Sequence, residues 1–356
     1  MMRSQSTIPV ILADVAHAVS RTTARFRAAR VAACVLVVLV ALPRFDMNDA
    51  GVAAVTGDSV TRDSSGVHGM TSPDVRQYTA MVQMFRGELP AEPPAAPFCY
   101  RPLTPYLASV LPVPALTAID VIDLVMLVLC ILFLDAFLVC RGMQPHERVA
   151  GMFMFALSFP VFYYGATGRI DAGGVACMLL ILASHARGGM GLLMASVFIA
   201  PFAKETTVLA VGMCVLLETF ERRPHAVRNS GGMMLMFVAG SLTARMIAPA
   251  VSTHVWNPSV ADTLTNLVRP RAYLSSILSF GVPGVLAMWH VMTTRHAMRP
   301  PFERALILTS LGCAGVWAYS FVAAYTDGRF VWIAYPFLIP LALMSFRRHD
   351  SRSTTR

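Results

Sequence analysis

The sequence predicts an all-α protein, a polytopic bundle of transmembrane helices. Of its 356 residues, 56% are hydrophobic and only 14% are charged, whereas an average soluble domain has about 25% charged residues. The mean hydropathy is positive. Long apolar runs also recur along the chain at lengths that suit a bilayer. Together these observations exclude an ordinary soluble single-core domain as the first interpretation.

About ten membrane spans are predicted from these runs. They cover residues 27–43, 117–140, 149–166, 172–186, 189–203, 206–220, 231–250, 273–293, 304–325 and 330–346. Several are shorter than the ~20 residues that a helix perpendicular to the membrane requires.

The distribution of arginine predicts the orientation, because short loops rich in basic residues stay in the cytoplasm. Threading the spans from an inside N-terminus places the arginine clusters at 21–30, 141–148, 222–228, 295–304 and 347–348 in the cytoplasm. The prediction is a multi-pass protein of the cytoplasmic (inner) membrane with both termini cytoplasmic. The formal net charge of +9 then reflects topology and contact with membrane lipids, and no nucleic-acid partner is expected.

Three parts are predicted along the chain. A basic cytoplasmic segment, 1–30, precedes the transmembrane domain, 31–346, and a short cytoplasmic tail, 347–356, follows it. The domain includes a large outer loop, 44–116. Residues 73–87 carry apolar side chains at helical spacing, and 98–107 follow a Pro-rich bridge. Both stretches are predicted to form interfacial helices, the first lying on the outer surface of the bilayer.

Lys204 is the only lysine among 29 basic residues, and it stands beside Glu205 between two predicted spans. An ammonium group in a chain that otherwise uses arginine indicates that a compact point charge is required there. Ionisable groups at membrane depth usually face a cavity or a pathway. Lys204 and Glu205 are therefore candidate site residues.

Further ionisable residues fall on the same predicted outer side, although they belong to separate loops. They are Asp74, Arg101, Arg169, Asp171 and Arg329. Carboxylates and fixed cations that converge beside a bilayer suit an anionic lipid headgroup, since the cations hold phosphate and a carboxylate performs proton chemistry. We expect Asp74, Arg101, Lys204 and Arg329 to meet in one pocket.

Short motifs contain these residues. In chain order they are Asp74 with Tyr78 and Gly87, then Pro97–Pro105, Gly168–Ala172, Ala203–Thr206 and Asp327–Phe330. In this order the chain resembles bacterial multi-spanning GT-C glycosyltransferase-like proteins over residues 30–346. The resemblance implies a GT-C-like bundle that transfers a sugar from a polyprenyl-phosphate donor to a lipid or glycan acceptor on the outer face of the membrane. No cofactor is predicted, and no Cys or His spacing indicates a zinc site.

The resemblance leads to a hypothesis about roles. Asp74 accepts the proton of an acceptor hydroxyl that attacks the anomeric carbon with inversion, and Arg101, Lys204 and Arg329 neutralise the departing phosphate. Asp171, with Arg169 beside it, holds the sugar or the acceptor, and Glu205 orients Lys204. Many members of that superfamily carry two adjacent acids soon after the first span, so Asp46 and Asp49 are alternative bases. Asp74 is preferred because an ordered helix positions a side chain more tightly than a loop does.

Other interpretations remain open at this point. Asp74 and Asp171 also suit helix caps, Arg101 suits a side chain that extends to lipid phosphate, and Lys204 with Glu205 suits a structural ion pair. The alternative function is a proton-coupled or lipid-linked-substrate transporter. It would use the polar residues predicted inside the bilayer, which are Asp120, Asp123, Asp135 and Arg245.

Overall fold

The computed structural model describes residues 24–45, 73–90, 93–247, 257–294, 299–323 and 326–353. These residues form helices and their connections, which confirms the all-α class. Asp46 and Asp49, the alternative bases, lie outside the described residues.

The α-helices follow one another without a β-strand in the described ranges. They are α1 (Ala24–Ala41), α2 (Pro73–Phe85), α3 (Leu103–Ser109), α4 (Ala115–Cys140), α5 (Pro145–Ala156), α6 (Phe159–Tyr164), α7 (Asp171–Arg187), α8 (Met190–Ala203), α9 (Val208–Phe220), α10 (Ala226–Ile247), α11 (Val260–Val268), α12 (Pro270–Thr293), α13 (Pro301–Ala323), α14 (Arg329–Trp332) and α15 (Tyr335–Ser353). Short 3-10 turns occupy Leu42–Arg44, Phe98–Tyr100 and Glu205–Thr207.

Among the described residues, five helical segments are long and apolar enough to cross a membrane. They are α4, α10, α12, α13 and the segment Phe26–Arg44, which joins α1 to the 3-10 turn after it. Two shorter apolar helices are α8 and the first part of α15. Several helices can therefore span a membrane, as the sequence predicts for a multi-pass protein.

Among the described residues, two predicted spans are divided into separate helices, and a third, at 273–293, is kinked at Gly281 inside α12 (φ 46°, ψ −154°). The span predicted at 149–166 is divided into α5 and α6, because Ser158 is extended (ψ 150°) and Pro160 lies in the first turn of α6 without a backbone N–H to donate. The span predicted at 330–346 begins with the four-residue α14, and a turn at residues 333–334 separates it from α15. Both breaks place short helices next to the candidate site.

The outer loop contains the first predicted helix, which is α2. Its apolar face does not lie against the bilayer as predicted, since Tyr78, Met81 and Val82 are buried against the Phe98–Tyr100 turn and α4. The second predicted helix, 98–107, is divided into a 3-10 turn and α3. The cause is Pro102, which cannot donate a helical hydrogen bond.

The two ends of the bundle carry separate sets of charges. At the end where α4 finishes, Asp135 accepts from Arg30 (3.2 Å) and Arg148 (2.6 Å), and Arg141 contacts Glu221 (3.2 Å). At the end where α4 and α7 begin lie the predicted site residues. We call the latter the site end of the bundle.

Candidate functional site

All seven predicted site residues belong to one connected group at the site end. We call this group the charged cluster. It consists of Asp74, Arg101, Arg169, Asp171, Lys204, Glu205 and Arg329, joined by direct ion pairs and by electrostatic contacts within the group. The four residues that are expected to share a pocket, Asp74, Arg101, Lys204 and Arg329, therefore belong to one connected set of charges.

Asp74 and Arg329 form an ion pair although 255 positions separate them in the chain. Each side chain is only 16% exposed. Arg329 also lies 3.5 Å from the Asp327 carboxylate, and the Arg329 backbone N–H donates to that carboxylate (3.0 Å). The pair with Asp74 ties the first turn of α14 to the first turn of α2, and Asp327 holds Arg329 in place.

Lys204 forms an ion pair with Asp171, the first residue of α7. Lys204 ends α8 in an extended conformation, and its side chain is buried along α7. Gly174 makes this approach possible, because a Cβ at that position would lie 3.2 Å from the Lys204 Cβ. The predicted role of Glu205 in orienting Lys204 is wrong, since the partner of Lys204 is Asp171.

Arg101 binds Glu205 through two hydrogen bonds, Nε to Oε2 (2.8 Å) and Nη2 to Oε1 (2.5 Å). Its remaining amino group donates to the Tyr78 hydroxyl (2.8 Å). The guanidinium is almost completely buried, whereas 57% of the Glu205 side chain is exposed. Arg101 therefore fastens α2 to the α8–α9 connection and has few donors left for a ligand.

Arg169 differs from the other cations of the charged cluster. It lies within electrostatic range of Asp74 and Asp171, and its guanidinium carbon is 5.7 Å from the centre of the Tyr164 ring. No hydrogen bond of its guanidinium is present among the described residues, and its Nε is buried. Its position depends on Gly168, which has φ 69° and donates its N–H to Asp120 (2.5 Å). Arg169 is thus the cation best placed to receive an anion.

The electrostatics of the charged cluster favour ionised groups. Burial alone raises the pKa of Asp74, but the charges of Arg329 and Arg169 outweigh it and lower that pKa to about 2. Burial likewise raises the pKa of Glu205, and Arg101 more than compensates, so the net shift is downward. Burial lowers the pKa of Arg329, yet Asp74 and Asp327 raise it well above its ordinary value. A carboxylate as acidic as Asp74 is a weak base while Arg329 remains on it.

Asp327 and Tyr78 also contact the charged cluster, although neither is among the predicted site residues. Both lie in the short motifs that contain site residues, Asp327 two residues before Arg329 and Tyr78 one helical turn after Asp74. This spacing is the signal in the sequence that could have identified both residues as contacts of the charged cluster. Their pairing with Arg329 and Arg101 depends on the fold.

A second polar feature lies deeper, on α4. Asp123 is completely buried, and neither carboxylate oxygen has a hydrogen-bond partner in the part of the chain that the structure describes. Asp120 and Asp171 are its charged neighbours. The buried hydroxyl of Thr104, which lies beside α7 at Gly173, also has no described partner.

Comparison of the chain with protein-family models, with curated proteins and with solved structures finds no match. Function therefore has to be inferred from the chemistry of the charged cluster and its position in an apolar helical bundle.

Proposed function

We propose that this protein is a membrane glycosyltransferase that transfers a sugar from a polyprenyl-phosphate donor to a lipid or glycan acceptor, with inversion. The observation that carries the proposal is the charged cluster, in which Asp74, Arg169 and Arg329 come together at one end of an apolar bundle. A lipid-borne phosphate needs fixed cations beside the bilayer, and glycosyl transfer needs a carboxylate base.

The proposed topology is a GT-C-like bundle of about ten spans, with the site end on the outer face of the cytoplasmic membrane. α7 has 17 residues and is about 25 Å long, close to the ~30 Å hydrocarbon core. α8, α9 and the apolar part of α15 (Tyr335–Phe346) are shorter, and we propose that they cross together with the connections that carry the site. The arginines around Asp135 and Glu221 support a cytoplasmic assignment for the opposite end.

Arg169 is the proposed first contact of the donor phosphate, because its guanidinium is not engaged by a carboxylate in direct contact. Arg329 follows. Its pair with Asp74 is partly exposed, so a phosphate that enters the charged cluster competes with the Asp74 carboxylate for the same guanidinium. When Arg329 turns to phosphate, the pKa of Asp74 rises from about 2, because its strongest stabilising charge is shared.

The reaction then proceeds by direct displacement. The acceptor oxygen attacks the anomeric carbon, its proton passes to the Asp74 carboxylate, and the anomeric C–O bond breaks with its electron pair remaining on the phosphate. Arg169 and Arg329 neutralise the charge that grows on the phosphate. We assign a positioning role to two pairs, Lys204 with Asp171 and Arg101 with Glu205. In each pair the cation is already bound directly to a carboxylate.

Transfer assays on membranes supplied with radiolabelled polyprenyl-phosphate sugars test the proposal. Asp74→Asn and Arg169→Gln should each lower transfer about 10²-fold or more, because one loses the base and the other a phosphate contact. Arg76→Gln is the matched control, as Arg76 is an exposed arginine on the same helix as Asp74. Undiminished transfer by Asp74→Asn, at equal protein level, would overturn the assignment of the base.

A proton-coupled transporter is the second candidate, and Asp123 is the observation that favours it. Asp135 is neutralised by Arg30 and Arg148, whereas Asp123 is buried on a membrane-spanning helix without a described partner. Such carboxyls are typical of proton pathways. Flux of a lipid-linked sugar into proteoliposomes that stops in Asp123→Asn, without any glycosyl transfer, would favour this candidate over the enzyme.

A further inference from the structure

A short helix at the site end presents three different sides. α11 (Val260–Val268) packs against α13 with its first side. In the part of the chain that the structure describes, its second side exposes large apolar side chains and its third side exposes polar ones. The reaction proposed above uses neither of the exposed sides.

The side of α11 that faces the protein is polar and is fixed by hydrogen bonds. Asn266 is 1% exposed, and its amide donates to the Phe321 carbonyl (2.9 Å) near the end of α13. Its Oδ1 accepts from the N–H of Thr326 (3.3 Å). The N–H of Ser259, the N-cap residue of α11, donates to the Val322 carbonyl (2.8 Å). These bonds fix the rotation of α11 about its own axis and therefore determine which way its other side chains point.

The apolar side of α11 is a stripe with helical spacing. Its side chains are between 51% and 79% exposed, and their spacing of three to four positions puts them on one face of the helix. We call this face the α11 apolar stripe; it consists of Val260, Leu264, Leu267 and Val268. Asp262 and Thr265 lie on the remaining side and are exposed. A helix with one apolar and one polar exposed side fits the boundary between lipid and water, where both surroundings are present.

The chain connections place α11 at the level of a membrane surface. Arg269 joins it directly to α12, and its hydrogen bonds reach the last turn of α13. Both of these helices are long and apolar enough to cross a membrane. α11 itself has nine residues, so it is about 14 Å long and cannot cross the ~30 Å hydrocarbon core. It therefore lies where two membrane-spanning helices begin and end.

Tyr273 supports this placement. Its hydroxyl donates to the Leu267 carbonyl at the end of α11 (3.1 Å), and its ring lies 5.6 Å from the ring of Phe321. Tyrosine is enriched at membrane interfaces because its ring is apolar and its hydroxyl is polar. Leu274 and Ile277, which follow in the first two turns of α12, are 59% and 67% exposed. Apolar exposure therefore passes along the chain from α11 into a helix that can cross a membrane.

α11 also holds the loop that leads to a residue of the charged cluster. Thr326, whose N–H donates to Asn266, lies three positions before Arg329. The Thr326 carbonyl accepts from Nη2 of Arg269 (2.9 Å), the residue between α11 and α12. A displacement of α11 would therefore be transmitted to the backbone next to Arg329.

We propose that α11 binds the surface of the lipid bilayer at the site end, with the α11 apolar stripe among the acyl chains and with Asp262 and Thr265 in water, and that this contact holds the loop from Thr326 to Arg329 in place. The contact is apolar, so it requires no anionic lipid. It is an interaction surface of the helical bundle, and it does not depend on glycosyl transfer.

Nitroxide labels on the full-length protein in phosphatidylcholine vesicles test the position of α11. Leu264→Cys and Val268→Cys carry the label in the α11 apolar stripe, and Asp262→Cys and Thr265→Cys are matched controls on the same helix. Collisions with oxygen, which concentrates in hydrocarbon, and with a water-soluble nickel chelate measure the depth of each label. The wild type, whose seven cysteines are buried or partly buried, measures the background.

The two labels in the stripe should lie roughly 5–10 Å below the lipid phosphates and collide mainly with oxygen, and the two control labels should collide mainly with the nickel chelate. Three results would overturn the proposal. Access of the nickel chelate to all four labels would place the stripe in water. Little access of either reagent to the stripe would mean that another part of the chain, a second copy or a partner protein covers it. Equal depth at all four positions would mean that α11 does not lie along the interface.

Amide hydrogen exchange at residue resolution, in the same vesicles, tests the effect on the loop. Leu264→Gln/Leu267→Gln should weaken the contact of α11 with the bilayer and speed exchange of the Thr326 N–H about tenfold. The N–H of Gly328 should keep its rate, because it donates to Ser275 of α12 (3.0 Å).

The matched control for the exchange experiment is Leu89→Gln/Val227→Gln, which makes the same kind of change at positions that are 97% and 89% exposed elsewhere. It should leave exchange at Thr326 unchanged. An unchanged rate in the stripe variant, or an equal rise in the control, would contradict the role of α11 in holding the loop. If the stripe variant does not fold, Leu264→Gln alone should give a smaller rise. None of these measurements requires catalysis, so they also distinguish failure of this proposal from failure of the proposed reaction.

Discussion

The cations of the charged cluster fall into two groups at the residue scale. Arg101 and Lys204 are themselves buried, and each has a carboxylate partner in direct contact, so they contribute geometry. Arg169 and Arg329 are the cations that act on Asp74 most strongly. The catalytic hypothesis therefore depends on how easily Arg329 exchanges Asp74 for a phosphate, and this exchange is the step that would make a strongly acidic carboxylate into a base.

The pKa of Asp74 predicts a pH dependence of stability. Because the pKa is lowered to about 2 in the folded protein, the ion pair stabilises the fold fully above the unfolded value near 3.9 and loses this effect as the pH falls toward 2. The contribution is on the order of 2 kcal/mol. Melting temperatures of the wild type and Asp74→Asn should therefore converge between pH 5 and pH 2. A difference that stays constant over this range would contradict the pairing with Arg329.

Adjacent residues at the end of α8 explain one wrong prediction. Lys204 and Glu205 are neighbours, and sequence alone pairs them. The backbone at Lys204 is extended (φ −169°, ψ 140°), and successive side chains of an extended segment point to opposite sides. Lys204 therefore meets Asp171, while Glu205 meets Arg101.

Prolines decide the limits of the elements near the site. Apolar composition predicted one span at 149–166, because Leu157 and Pro160 do not change the hydropathy of the run. In the structure α5 ends before Leu157 and α6 begins at Phe159. Arg44 then lies over the ring of Tyr163, and Arg169 lies near the ring of Tyr164. Hydropathy reflects how readily side chains leave water, whereas the continuity of a helix depends on backbone hydrogen bonds. A search for apolar runs therefore does not detect a break caused by proline.

The packing of α7 against Lys204 gives a prediction at the element scale. Gly174→Ala should lower the free energy of unfolding by about 1 kcal/mol, and the melting temperature with it. The reason is that the new Cβ would lie 3.2 Å from the Lys204 Cβ. Gly212→Ala on α9 is the control, since nothing lies within 4 Å of the new Cβ. It should stabilise the protein slightly, as alanine favours a helix interior. Thermal unfolding of both variants in one detergent measures the difference, and a stabilising Gly174→Ala would contradict the close approach.

Charge is arranged by end across the whole molecule. One end carries the carboxylates and cations of the charged cluster, and the other carries Asp135 and Glu221 with their arginines. Segments that are apolar enough to cross a membrane connect the two ends. The two ends of the bundle therefore differ in the charged residues that they carry.

The proposed orientation predicts which surface positions react from outside the cell. Leu89→Cys, at a position 97% exposed near α2, should be labelled by a membrane-impermeant maleimide on intact cells. Val227→Cys, 89% exposed at the start of α10, should be labelled only after permeabilisation. The wild type, whose seven cysteines are buried or partly buried, measures the background. Reversed labelling would place the site end in the cytoplasm.

Composition and periodicity alone determined that the protein is helical and apolar enough for a membrane, because those properties depend on each residue's own transfer energy and on local spacing. They also placed the candidate residues on one side, since loops at alternate ends of successive spans share a side. Only the tertiary structure decided the partners: Asp74 with Arg329 across 255 positions, Lys204 with Asp171, Arg44 and Arg271 around Tyr163. Pairing depends on distance in space, which a linear pattern does not contain.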